Sequence, residues 1–165
     1  MNSASLEESV ICFDLDGKPV SLPRSLIAFR PVVHGLFLFN EAALLEKYPQ
    51  TGRWQPLAAE LAAGQSLEIA LNLYLREQLA SPPQIGPMLF AETHYLTENR
   101  ESGWQLSRHY FLLLPGDDKL TDAADFVQAN STVSWQPLSK LTRADMQCGY
   151  DALQAARNLI HRTGK

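Results

Sequence analysis

Between Gly64 and Pro83 the chain has little freedom: it carries a start signal, an apolar stripe of helical period and a stop, in that order. Gly64 breaks the Ala-rich segment before it. Ser66 can accept from the orphan amides of a first turn, and Glu68 adds negative charge at the positive end of the helix dipole. Ser81-Pro82-Pro83 closes the segment, because proline lacks the amide donor and restricts its predecessor. These signals predict a helix from Leu67 to Leu79, fed by a loop that begins at Gly52. Leu67, Ala70, Leu71, Leu75 and Leu79 recur at spacings of three and four and form its buried stripe; Tyr74, Glu77 and Gln78 share a neighbouring face.

The flanks read as strands. Val10–Leu15 and Lys18–Leu22 bracket Asp16-Gly17, a favoured two-residue hairpin turn, so an N-terminal β-hairpin is expected; Asp14 and Asp16 beside it read as solvated turn residues. Val32–Phe39 is a nearly continuous apolar run, typical of a strand covered on both faces, and His34 inside it reads as a core histidine. Asn40-Glu41 turns the chain into a returning strand, Ala42–Glu46. Strands are also expected at Met88–Leu96, Trp104–Leu114 and Thr132–Trp135. Arg108 and His109 are neighbours on alternating faces, so they do not line one pocket. Pro115–Asn130, with Asp117, Asp118, Asp122 and Asp125, lacks the ligand alternation of a calcium loop and reads as a solvated acidic loop. Thr142-x-x-Asp145 has the form of a cap, opening a helix that carries Met146, Tyr150, Leu153 and Ile160 and ends near His161. His161 and Arg162 then sit at its negative end.

Gly52-Arg53-Trp54, the Gly64–Ala80 loop and helix, and strands on both sides together resemble the Nudix box and its surroundings. The box runs Gly, five residues, Glu, seven residues, then Arg-Glu-apolar-x-Glu-Glu-x-Gly-apolar. Over residues 58 to 80, Ala59 occupies the leading Gly, Gln65 the first Glu, Leu73 and Tyr74 the Arg-Glu pair, Glu77 and Gln78 the Glu-Glu pair, and Ala80 the closing Gly. Leu75 and Glu77 match the strict pattern. The resemblance implies an α+β fold, a Nudix-type α/β/α sandwich with a central mixed sheet flanked by helices, spanning residues 30–162 of one domain. Residues 1–29 are then an extension carrying the hairpin. It also implies magnesium as the cofactor of any active form, with Glu77, Gln78 and Gln65 at the catalytic positions.

Charge argues against the usual chemistry of such a box. A magnesium site needs several hard anionic oxygens; a tyrosine phenol titrates near 10, and Gln65 and Gln78 offer only neutral amide oxygens. Glu77 alone is a poor site, and Glu60 or Glu92 are the substitutes within reach of a rebuilt one. Arg30 and Arg53 are candidates to meet an anionic ligand, and Tyr74, Tyr95 and Trp104 offer flat surfaces for a base.

Composition bounds the rest. The 165 residues, 45% hydrophobic and 19% charged, suit one globular domain. A net charge of −4 with scattered basic residues excludes a protein that coats duplex nucleic acid. No run approaches the roughly twenty apolar residues of a membrane span, no positive leader opens the chain, and a cytoplasmic location is the default. Cys12 and Cys148 are solitary and read as buried thiols. Three functions remain: a degenerate Nudix domain that binds a nucleotide or other phosphorylated small molecule or serves as a scaffold, a pyrophosphohydrolase with a remodelled metal site, and a protein-interaction module using Leu73 and Tyr74. A homodimer through the last helix stays open.

Overall fold

The computed structural model describes residues 7–116, 122–128 and 132–164. Its elements are β1 (Ser9–Phe13), β2 (Pro19–Pro23), β3 (Ile27–Leu36), β4 (Leu38–Phe39), β5 (Ala42–Lys47), β6 (Trp54–Glu60), α1 (Leu67–Gln78), β7 (Gln84–Leu96), β8 (Gly103–Leu114), β9 (Val133–Pro137) and α2 (Tyr150–Thr163). The chain forms two compact units, residues 1–31 with 92–108, and residues 32–91 with 109–165. Strands β3, β7 and β8 contribute residues to both.

In the first unit β1 and β2 pair antiparallel from Ser9↔Pro23 to Phe13↔Pro19, and β1 meets β7 in parallel at Phe13↔Leu96. The hairpin is longer by one residue than Asp16-Gly17 alone implies. The Asp14 amide donates to the Lys18 carbonyl (2.9 Å), leaving three residues in the loop, with Gly17 left-handed at φ +79°. The Asp14 carboxylate explains the shift. It accepts from the amides of Asp16 (3.0 Å) and Lys18 (2.8 Å), and these bonds, with Arg100 at 2.6 Å, hold it below the usual carboxylate range. Cys12, within β1 and paired with Val20, is fully buried, and burial raises its thiol pKa.

In the second unit the strand order is β7-β8-β3-β6-β5-β4, with β9 added to β5 over Ala42↔Pro137 to Glu46↔Val133. Apolar side chains leave this sheet on both faces. On one, Val33, Leu57, Phe111 and Leu113 pack with Ala70, Leu71 and Leu75 of α1. On the other, Leu36, Leu45, Tyr110 and Leu112 pack with Ala152, Leu153 and Ala156 of α2. The result is a helix on each face of the sheet, and the near-continuous apolar run that enters β3 follows from that double cover. His34 is fully buried, stacked on Tyr110 at 4.7 Å, with Nδ1 3.3 Å from the Pro56 carbonyl. No helix among the described residues is long and apolar enough to cross a membrane.

Two sequence expectations change. The segment before the box helix is a strand, β6, and not only a loop: it pairs with β3 (Val32↔Glu60 to Gly35↔Leu57) and with β5 (Leu45↔Pro56 to Lys47↔Trp54). Pro56 and the alanines around it have low strand propensity, and pairing on both edges overrides that. The last helix starts later than Thr142. The capping box of Thr142 and Asp145 is present but closes a single 3-10 turn, Arg143–Asp145. Gln147 then donates to the Trp54 carbonyl (2.7 Å), Gly149 turns left-handed at φ +83°, and α2 begins at Tyr150. In the acidic loop Asp122 and Asp125 form a capping box on the turn Ala123–Phe126, while Asp117 and Asp118 lie outside the described residues, as do Met1–Leu6 of the N-terminal stretch.

Candidate functional site

The entry to α1 is built from short-range bonds. Gly64 is left-handed at φ +79°, and the Gln65 amide and side chain close on Ala62: the Gln65 amide donates to the Ala62 carbonyl (3.1 Å), and its Oε1 accepts from the Ala62 amide (2.9 Å). Ser66 then caps the helix, its hydroxyl accepting from the Ile69 amide at 3.2 Å. The Leu71, Leu75 and Leu79 stripe is buried, which rotates Tyr74 and Glu77 toward β6.

A cavity of about 270 Å³ opens there, lined by Ala58, Ala59, Glu60, Gln65, Ala70, Leu73, Tyr74 and Glu77. Of the residues singled out in the sequence, Gln65, Tyr74, Glu77 and Glu60 are therefore brought together. Glu60 reaches the cavity as the last residue of strand β6, not from a loop. Gln78 and Arg53 do not line it. Leu73 is 47% exposed on the helix surface. The remaining candidates belong to the first unit. Arg30 lies over the Trp104 ring at 4.9 Å, the Tyr95 hydroxyl receives Arg24 at 3.4 Å, and Glu92 meets His94 at 3.0 Å.

A short polar contact at the cavity involves a residue that the sequence did not flag. Glu46 of β5 accepts the Tyr74 hydroxyl on Oε2 (2.6 Å), and its Oε1 accepts the Ala58 amide (2.7 Å) and Gln55 Nε2 (3.3 Å). One carboxylate thus ties β5, β6 and α1 together. Burial raises the Glu46 pKa, against the lowering by these three bonds, and burial beside Glu46 pushes the Tyr74 phenol far above its usual range. An acidic residue directly after the apolar run Ala42–Leu45, still within the strand, was the available signal. Tyr74→Phe removes one of the bonds that lower the Glu46 pKa. It is expected to raise that pKa further, read by carboxyl NMR titration, and to cost about 1–2 kcal/mol in urea unfolding. The sign of the pH dependence follows. A carboxyl whose folded pKa is raised stabilises the fold below its unfolded pKa and loses that contribution as pH rises through the folded value. Glu46→Gln should therefore flatten the decline in stability on that rise.

The acidic oxygens that a magnesium ion could take at this cavity come from Glu60 and Glu77. Such an ion takes six oxygens in near-octahedral order with carboxylates among them. Here Tyr74 keeps its proton against Glu46, Gln65 Oε1 is spent on the Ala62 amide, and the lining carboxylates are Glu60 and Glu77. Among the described residues no three His, Cys, Asp or Glu side chains converge on a common point.

No protein-family model matches the chain, and no curated protein is similar to it in sequence. Solved structures do match. A MutT Nudix hydrolase from Burkholderia pseudomallei is similar with a TM-score of 0.55 at 17% identity, over 78% of this chain and 98% of that one. A Nudix hydrolase from Nitrosomonas europaea gives 0.53 at 12% identity, over 82% and 90%. An ADP-ribose pyrophosphatase from Streptococcus suis gives 0.51 at 9% identity, over 82% and 92%. At identities this low the likeness establishes architecture and not chemistry. The mixed sheet between two helices is the Nudix α/β/α sandwich, and the chain has the fold of the Nudix hydrolases.

Proposed function

We propose that this chain is a ligand-binding or scaffold domain on the Nudix fold, with a degenerate box that has lost ordinary magnesium-dependent hydrolysis of nucleoside diphosphates. The observation that carries this reading is the 2.6 Å bond from Tyr74 to Glu46. On this reading a protonated phenol, anchored to a buried carboxylate, stands at a box position where the family has glutamate. Among the described residues the cavity lining contributes two carboxylates and no basic side chain, so bare phosphate is repelled by it. The portion of a nucleotide-like ligand that suits this lining is its sugar, whose hydroxyls donate to carboxylates. One structural neighbour is an ADP-ribose pyrophosphatase, which makes ADP-ribose the first probe. Calorimetric titration with ADP-ribose and nucleoside diphosphates, with and without magnesium, is expected to give binding without phosphate release. Rapid metal-dependent turnover of any of them sinks the proposal.

A second reading has its own support: Glu60 and Glu77 line one cavity, the arrangement a relocated metal site would start from. On that reading the protein is a pyrophosphohydrolase whose activity Glu77→Gln abolishes, and an unchanged rate in that variant eliminates it.

A further inference from the structure

A second cavity, of about 340 Å³, shares no lining residue with the box cavity. It opens between the β4–β5 turn and the last turns of α2, with Leu38, Phe39, Leu138 and Ile160 as apolar walls. Its volume lies in the range of roughly 300–1,000 Å³ that holds small organic ligands.

Three ionisable side chains meet at its rim. One Glu41 oxygen receives Arg157 Nη2 at 2.7 Å, and the other meets His161 Nε2 at 2.7 Å. The turn that aims this carboxylate is strained. Asn40 and Glu41 both adopt left-handed backbone, at φ 49° and 58°, a conformation the tight hairpin requires and one that glutamate pays for sterically. The two bonds to α2 offset that cost, and with the bond from the Leu138 amide to the Glu41 carbonyl (2.9 Å) they hold the mouth of the cavity in one shape.

The charges at this rim cancel. Glu41 opposes Arg157, and the negative pole of α2 falls at the same end as His161. An ionic ligand entering the apolar cavity loses hydration that a rim of cancelling charges does not offset. Hydrogen-bond donors, by contrast, are in excess. A guanidinium carries five N–H groups, and among the described residues Arg157 gives one bond, to Glu41. We propose that this cavity is a second ligand site, taking a small uncharged molecule with a flat or aliphatic apolar body and a carbonyl-type acceptor that Arg157 receives.

Matched probes test the charge argument. Benzamide, benzoate and benzylamine share a ring and differ in the charge of the head. Methyl NMR titration of the full chain is expected to show saturable shifts at Leu38, Leu138 and Ile160 with benzamide. Benzoate and benzylamine should each be weaker by about fivefold or more, the worth of roughly one net hydrogen bond. Ile160 is 40% exposed, so Ile160→Asp should leave the fold intact while removing the benzamide shifts. Arg157→Met should weaken benzamide by about fivefold on the same hydrogen-bond scale. Absence of saturation at these methyls, benzoate or benzylamine binding as tightly as benzamide, or benzamide shifts that survive Ile160→Asp would each overturn the proposal. None of these outcomes bears on the box cavity, whose ligand is read by the ADP-ribose titration.

Discussion

Gly149→Ala is expected to destabilise the protein by about 3 kcal/mol, the sum of a left-handed backbone that alanine disfavours and an overpacked contact. Gly149 sits at φ +83°, and a methyl group there would lie 2.6 Å and 2.8 Å from Cγ and Cδ of Pro56 and 3.1 Å from the Tyr110 ring. The proline ring cannot swing away, because Pro56 is a mid-strand residue paired with Leu45 and its carbonyl meets the buried His34. Relief would have to come from moving α2 or β6, both of which carry core residues. For a chain of this size the loss corresponds to a melting temperature lower by roughly 10 °C. Gly17→Ala is the control: the same sign of φ, at +79°, with nothing within 4 Å. It should cost about 1 kcal/mol, for backbone strain alone. Equal losses in the two variants would mean that the contact with Pro56 contributes nothing.

Phe37→Ala should cost about 3–5 kcal/mol in urea unfolding, the range for deleting a fully buried aromatic ring. Phe37 is completely buried and joins an aromatic cluster, edge-on to Phe126 at 4.8 Å and tilted against Trp135 at 5.4 Å. The cavity would be felt at the box helix. The Phe126 carbonyl receives the Ala80 amide (3.1 Å), and Leu79 bridges to Val127, so this cluster clamps the C-terminal end of α1. Accordingly, amide exchange near Leu79 should accelerate more in this variant than exchange in β1 and β2, which belong to the first unit. Equal acceleration in both would remove the clamp from the explanation.

Local signals were legible wherever one residue type has one physical job. Ser66 caps α1, Pro82-Pro83 follows its end, and the expected span of Leu67–Leu79 differs from Leu67–Gln78 by a single residue, the buried C-cap Leu79. Asn40-Glu41 makes the turn that was expected of it. Signals failed where pairing or packing outweighs local preference. Strand β6 was hidden behind Pro56 and two alanines, and the Thr142 cap was mistaken for the start of α2 because the chain after that turn is tied to another segment, Gln147 donating to the Trp54 carbonyl. The partners of site residues were illegible for the same reason. Tyr74 was known to be a poor metal ligand by its chemistry, yet Glu46, its partner, lies 28 positions away and is delivered by strand pairing.

The order of side chains by itself determined where the box helix begins and ends, which of its faces is buried, and that its polar face is short of charge, because capping, periodicity and ionisation are properties of a few adjacent residues. Only the tertiary structure decided what that face touches. A strand register brought Glu46 to the Tyr74 hydroxyl and Glu60 to the cavity that Glu77 also lines, and register depends on contacts between segments that no local stretch contains.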